Sequence, residues 1–202
     1  MSKRLNKKQI ITIFSLIIVI SGIFGWVYEV IFYYFNSGMK IVYLRGRNFL
    51  PWINIYVYGA LLILLLAYRF RKKPLLVFLI SMVSTGILEY LTGYILYGKL
   101  GWVKYWDYNQ EILNFGNING YVCLRSVLFF GMSGMILIYF MIPMLTKLVK
   151  SKYLNIIYII SIVICSIFLF DEIYNLAIAK VFNLPSALTV YQNLGFKFIT
   201  FN

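Results

Sequence analysis

The stretch "IITIFSLIIVISGIFGWVYEVIFYYF" (10–35) carries a single charged residue, Glu29. A membrane span needs about 20 mainly apolar residues, so this run can cross hydrocarbon with residues to spare. The basic segment before it, Lys3, Arg4, Lys7 and Lys8, gives the start the look of a secretory signal. However, no small-residue cleavage site follows, and the apolar pattern continues past Trp26. The reading is an uncleaved first span. The rest of the chain agrees: it is 62% hydrophobic and 12% charged, with a mean hydropathy of +0.83. Soluble domains are about half apolar and a quarter charged.

Working outward, the apolar runs predict five transmembrane helices, roughly 9–36, 52–69, 74–97, 120–146 and 153–181. The expected fold is all-α, a polytopic integral membrane helical bundle. It forms one five-span domain over 1–182, with an extracytoplasmic C-terminal tail over 183–202. Lys3, Arg4, Lys7 and Lys8 share one face with Arg69, Arg71, Lys72, Lys73, Lys147, Lys150 and Lys152, which is 11 of the 19 basic residues. Short basic segments stay in the cytoplasm, so the N-terminus is expected inside and the C-terminus outside. Trp26, Trp52, Trp102 and Trp106 all map near the outer interface, where an indole keeps its N–H wet and its ring in lipid. The net charge of +13 therefore reads as topology and lipid-headgroup contact, not nucleic-acid binding. With no histidine, and with Cys123 and Cys165 far apart, no metal or cofactor site is read.

Against this background the acidic residues stand out, for there are only six: Glu29, Glu89, Asp107, Glu111, Asp171 and Glu172. Counting along each helix at about 1.5 Å per residue brings Glu29, Glu89, Arg125 and the Asp171–Glu172 pair into one layer, the outer half. Helical spacing puts Gly22, Trp26, Glu29, Tyr33 and Asn36 on one stripe of the first span. Ser81, Thr85, Glu89 and Thr92 form a second stripe, and Ser161, Cys165, Phe168, Glu172 and Asn175 a third. Small and polar stripes are the faces that membrane helices turn toward one another. A charge at mid-membrane costs about 2.5–3.5 kcal/mol on insertion scales, so these groups are expected to pair or to line a polar cavity. Arg125 or Glu29 is the expected neighbour of Glu89, whereas Asp171 can snorkel to the interface.

Several short motifs then resemble, in order, those of a family of small bacterial membrane proteins, the CmpB-like ABC-transporter type IV permeases. They are "GWVYEV" (25–30), "LEYLTG" (88–93), "WDY" (106–108) and "NINGYVCLRSVLFFGMSG" (117–134), spanning about 22–145. In the segment "GRNFLPWINIYVYG" (46–59), Arg47, Phe49, Leu50, Tyr58 and Gly59 follow the family pattern. Trp52, Ile53 and Tyr56 replace its Gly-Pro and second Pro, and Tyr121 stands where the family has arginine, so the chain resembles a divergent member. The resemblance implies that Trp26, Glu29, Arg47, Tyr58, Glu89, Trp106, Asp107, Asn117 and Gly120 are functional positions.

The expected substrate-binding set is therefore Glu29, Glu89, Arg125, Glu172, Trp26, Arg47, Tyr58, Trp106, Asp107 and Asn117. The first functional reading is a permease-like transport component of the cell membrane, handling a small polar or cationic solute. The family name implies an ATPase partner, because the chain has no phosphate-binding loop. Proton linkage is the coupling route without ATP. The alternatives are an accessory or scaffold subunit, bound to another membrane subunit or to its own copies, and an intramembrane enzyme using paired carboxylates on the outer side.

Overall fold

The computed structural model describes residues 5–102 and 104–198. Lys3 and Arg4 of the N-terminal basic cluster, and the last four residues of the tail, lie outside the described residues. The described chain is helical, with no strand beyond two isolated bridges.

Helix α1, Lys7–Asn36, opens with a reciprocal cap. The Gln9 backbone N–H donates to the Asn6 side chain, and the Asn6 N–H donates to the Gln9 side chain, each at 2.9 Å. Helix α2, Asn54–Phe70, has fourteen α-helical residues and a three-residue 3₁₀ turn at its end. Helix α3, Pro74–Lys99, starts on a proline, whose missing N–H costs nothing in a first turn. Helix α4 is Leu124–Leu148 and α5 is Leu154–Val181, and a short α6, Ala187–Asn193, follows. Helices α3, α4 and α5 each contain a π turn, at Tyr94–Lys99, Leu137–Met141 and Tyr174–Ile178.

Four helices, α1, α3, α4 and α5, are long and apolar enough to cross a membrane. The expected second span is shorter, at about 25 Å against a hydrocarbon core of about 30 Å. Its start falls at Asn54 because Trp52 is drawn aside into the core. Helix α4 starts at Leu124, not near 120, because Asn119 (φ 56°) and Gly120 (φ 75°) turn the chain before it.

The two ends of the bundle differ. At one end the turns are tight, near 71–73 and 149–153, and the core is mainly apolar, with Thr12 and Ser15 the buried hydroxyls of α1. Ile13, Ile17, Ala60, Ile63, Val77, Leu137 and Leu145 make up much of it. At the other end, which we call the loop end, lie the long connections 37–53 and 100–123. Helices α3 and α4 pack most extensively, with Gly131 of α4 against Phe78 and Gly134 against Ser81. Helix α1 packs on both α2 and α5, and at the α1–α2 crossing a side chain on Gly25 would overlap the Tyr56 ring. The second and third polar stripes face inward, with Ser81, Thr85, Glu89, Ser161, Phe168, Glu172 and Asn175 buried; of the first stripe Gly22 and Tyr33 are buried and Trp26, Glu29 and Asn36 partly so. The tail packs on the 37–53 connection, where the Tyr191 hydroxyl donates to the Phe49 carbonyl at 2.6 Å and the Leu44 N–H donates to the Lys197 carbonyl at 2.9 Å.

Candidate functional site

Gly46 organises the loop end. Its φ of 81° turns the chain sharply between two arginines and sends them to different carboxylates. Arg45 pairs with Glu29 of α1 at 2.8 Å, and Arg47 pairs with Glu172 of α5 at 2.9 Å. The Arg45 side chain is 1% exposed and lies 3.9 Å from the centre of the Tyr33 ring. It also donates to the Tyr105 carbonyl. Burial opposes the guanidinium charge, yet Tyr33 and Glu29 around it raise the Arg45 pKa further.

Glu172 also accepts from the amides of Asn48 and Asn54. Its neighbour Asp171 accepts the backbone N–H of Phe49 at 2.9 Å, that of Leu50 at 3.0 Å and the Trp52 indole N–H at 3.1 Å. Asn175, one turn along, donates to the same carboxylate at 2.8 Å. Asp171 does not snorkel to the interface, and Trp52 does not keep its N–H wet. The two satisfy each other inside the protein, and they pin the 46–53 segment to α5.

The second long connection brings Glu111 to Arg125 at 2.6 Å. Arg125 and Glu29, the expected neighbours of Glu89, line one small cavity with it and with Glu111, but Arg125 makes its ion pair with Glu111 and not with Glu89. Tyr33 donates its hydroxyl to Glu111, and the Arg125 guanidinium sits 3.9 Å from the Phe32 ring centre. Glu89 accepts the Tyr108 hydroxyl on one oxygen. The Tyr108 pKa lies well above its ordinary value, because burial and then the nearby carboxylates disfavour a phenolate, so it serves as a donor.

The other oxygen of Glu89 is enclosed and accepts no hydrogen bond of normal geometry. Ser126, on the cavity wall, approaches Glu89, but its hydroxyl donates to the Cys123 carbonyl at 2.8 Å. The cavity has a volume of about 30 Å³, room for about two waters.

An adjoining cavity of about 110 Å³ is lined by Glu29, Arg45, Arg47, Asn48, Tyr58 and Trp106, so Glu29 and Trp106 face both spaces. Of the sequence-derived residues, Glu29, Glu89, Arg125, Arg47, Tyr58 and Trp106 thus gather around two adjoining cavities, with Glu172 bound to Arg47 beside them. Trp26 is half-buried and lines neither.

Asp107 and Asn117 order the loop instead. Asp107 accepts Lys104 at 2.9 Å and the Asn109 backbone N–H at 3.0 Å; Asn117 donates to Asn109 at 2.7 Å and accepts the Gly120 N–H at 2.9 Å. Burial alone raises the Asp107 pKa, but the Lys104 and Asn109 hydrogen bonds outweigh it and hold the carboxyl below its usual range. Arg45, Asn48 and Asn54 are central to the site and were not singled out by sequence reasoning, and Tyr108 entered it only as part of the WDY motif. The signal available was the placement of Arg45 and Arg47 about a glycine, on the connection leading from a helix that carries a buried acid.

A bundle of apolar helices with charges paired inside one end, between long connections, is the architecture of a multi-pass membrane protein. Residues 16–176 match the family described as "Putative ABC-transporter type IV" (ABC_trans_CmpB), and the chain belongs to it. The match extends beyond the motif-bearing stretch into most of α5, and so takes in Asp171 and Glu172. No curated protein and no solved structure is detectably similar to the chain.

Proposed function

We propose that this ABC-transporter-related membrane protein is a permease-like transport component that binds a small polar or cationic solute in the Glu89 cavity. The observation that carries the reading is the half-satisfied carboxylate of Glu89. Four of the other five acids have a cation partner within 2.9 Å, and Asp171 has four N–H donors. A buried acceptor left unmade costs about 1–3 kcal/mol, more when charged. A cation or a strong N–H donor is the group that best completes it. Protonation of Glu89 would release such a cation, which gives the site a coupling route without ATP. The family description favours an ATPase partner as the other route.

In this reading the chain crosses the membrane five times, with α2 as the short span, its N-terminus cytoplasmic and its C-terminus outside. Arg69, Arg71, Lys72, Lys73, Lys147, Lys150 and Lys152 gather at the tight-turn end, which supports that orientation.

Two measurements test the proposal. Ethylamine added to the protein in lipid nanodiscs should change its tryptophan fluorescence, through Trp106 on the cavity wall, and Glu89→Gln should abolish the change while the protein still assembles. An unaltered response in Glu89→Gln rejects the site. Mild-detergent purification with mass spectrometry then separates the coupling routes. A stoichiometric ATPase supports ATP coupling, and a chain that purifies alone supports the proton route.

A further inference from the structure

The Glu89 cavity is too small for most solutes. At about 30 Å³ it has room for about two waters, enough for a small ammonium head but not for a chain. The remainder of any ligand must lie elsewhere, and the walls of the cavity offer two directions.

Toward solvent, the adjoining 110 Å³ cavity shares Arg47 and Tyr105 with an open mouth of about 590 Å³, which Lys180 and Trp102 also line. Lys180 lies over the Trp102 ring at 3.3 Å from its centre, and Arg47 over the same ring at 5.6 Å. A cation entering by this route would pass Lys180 and then the ion pairs Arg47–Glu172 and Arg45–Glu29, so Lys180 at the mouth is the like charge that disfavours its entry.

Toward the bilayer, Tyr56 and Phe130 line both the Glu89 cavity and an apolar groove of about 240 Å³. Their ring centres are 5.4 Å apart, so two side chains form the wall between the spaces. The groove lies between α1 and α4 over α2 and carries no charged residue. Its rim, Phe24, Ile136, Phe140 and Met144, is exposed, so the groove opens sideways where lipid would lie. At the top of the opening Phe129 of α4 stacks on Tyr28 of α1 at 4.0 Å. The π turn Leu137–Met141 of α4 contributes Leu137, Phe140 and Met141 to the groove. Such turns recur at functional sites.

Building on the proposed binding at Glu89, we infer that the ligand is a single-chain amphiphile with an ammonium head. Its head completes Glu89 and its chain lies in the α1–α4 groove, entering from the bilayer and not through the aqueous mouth, and the Tyr56 and Phe130 side chains part to join the two spaces. The groove supplies access and orientation more than affinity, because lipid tails are as apolar as its walls. Specificity therefore rests on the head.

The test uses the full chain in phosphatidylcholine nanodiscs with a dodecylamine carrying a diazirine in mid-chain. Labelled peptides are mapped by mass spectrometry for wild type, Glu89→Gln and two groove-filling variants, Ser133→Trp and Ile136→Trp. Label is expected to concentrate on α1 and α4 at the groove. It should fall about tenfold in Glu89→Gln, the worth of one hydrogen bond to a charged group, and fall comparably in both tryptophan variants. The ethylamine response should persist in the tryptophan variants, which shows that they are folded with the head site intact. Label spread evenly over the lipid-facing surfaces, or unchanged by groove filling while ethylamine still responds, overturns the amphiphile and leaves the Glu89 site standing. An ethylamine response independent of Glu89 rejects the site itself.

Discussion

Asp171 and Glu89 are both acids on apolar helices, both buried at the loop end, and their surroundings differ in kind. Asp171 receives two backbone N–H groups, an indole and an amide, all from within the chain. Nothing is left for a ligand to do there, and the consequence is mechanical: the 46–53 segment is fastened to α5, and Arg45 and Arg47 are aimed. Glu89 receives one phenol and keeps one oxygen unmet. A carboxylate saturated by its own protein reads as a fastening, whereas one left open in an enclosed space reads as a place for something else.

The comparison can be broken most forcefully at Arg45. Arg45→Met leaves the part-buried Glu29 without its cation, and removing one partner of a fully buried pair costs about 3–5 kcal/mol, an upper bound here. A large drop in thermal stability in detergent is expected, whereas a small one would mean that water or another cation replaces Arg45. Asp171→Ala leaves the donors of Phe49, Leu50 and Trp52 unmet, at about 1–3 kcal/mol for an unsatisfied buried group. Hydrogen exchange of the Phe49 and Leu50 amides should rise with the loss. Gly25→Leu drives a side chain into the Tyr56 ring and should cost about 1–3 kcal/mol by overpacking. Because Tyr56 lines both the cavity and the groove, this variant should also blunt the ethylamine response.

Acid provides a finer test. The folded pKa of Asp107 lies below its ordinary value of about 3.9. Its contribution is therefore complete above about pH 4 and is lost as pH falls through the folded pKa. Exchange in the 104–120 loop should accelerate below about pH 4 in wild type, and Asp107→Asn should remove that step. The smallest stability effect is expected for Glu89→Gln. The amide keeps an acceptor for Tyr108 and removes a charge that nothing in the chain pairs, so stability should change by less than about 1 kcal/mol. A loss comparable to Arg45→Met would make Glu89 a fastening like Asp171 and collapse the distinction.

Much of the fold was legible because run length and helical period are local properties. Four spanning-length helices and their buried stripes follow from the spacing of residues such as Ser81, Thr85 and Glu89. Counting residues along each helix was also enough to bring Glu29, Glu89, Arg125 and Glu172 toward one layer. The partners were not legible. Arg125 looked free to meet Glu89 because both lie on helices, but Glu111 reaches it from a loop whose path has no period. Asp171 looked ready to snorkel, since nothing in its own helix announces that the Phe49 and Leu50 backbone will come down onto it.

An apolar helical bundle, and the helix faces that carry its polar groups, can thus be read from residue order, because burial in hydrocarbon acts residue by residue along a regular repeat. Which carboxylate meets which cation, and that Glu89 keeps an open oxygen beside a lateral groove, emerge when the chain is folded. Those outcomes depend on where two irregular connections place Arg45, Arg47, Tyr108 and Glu111. A hydrogen bond is decided within about 3 Å, a distance that helical spacing cannot set across a loop.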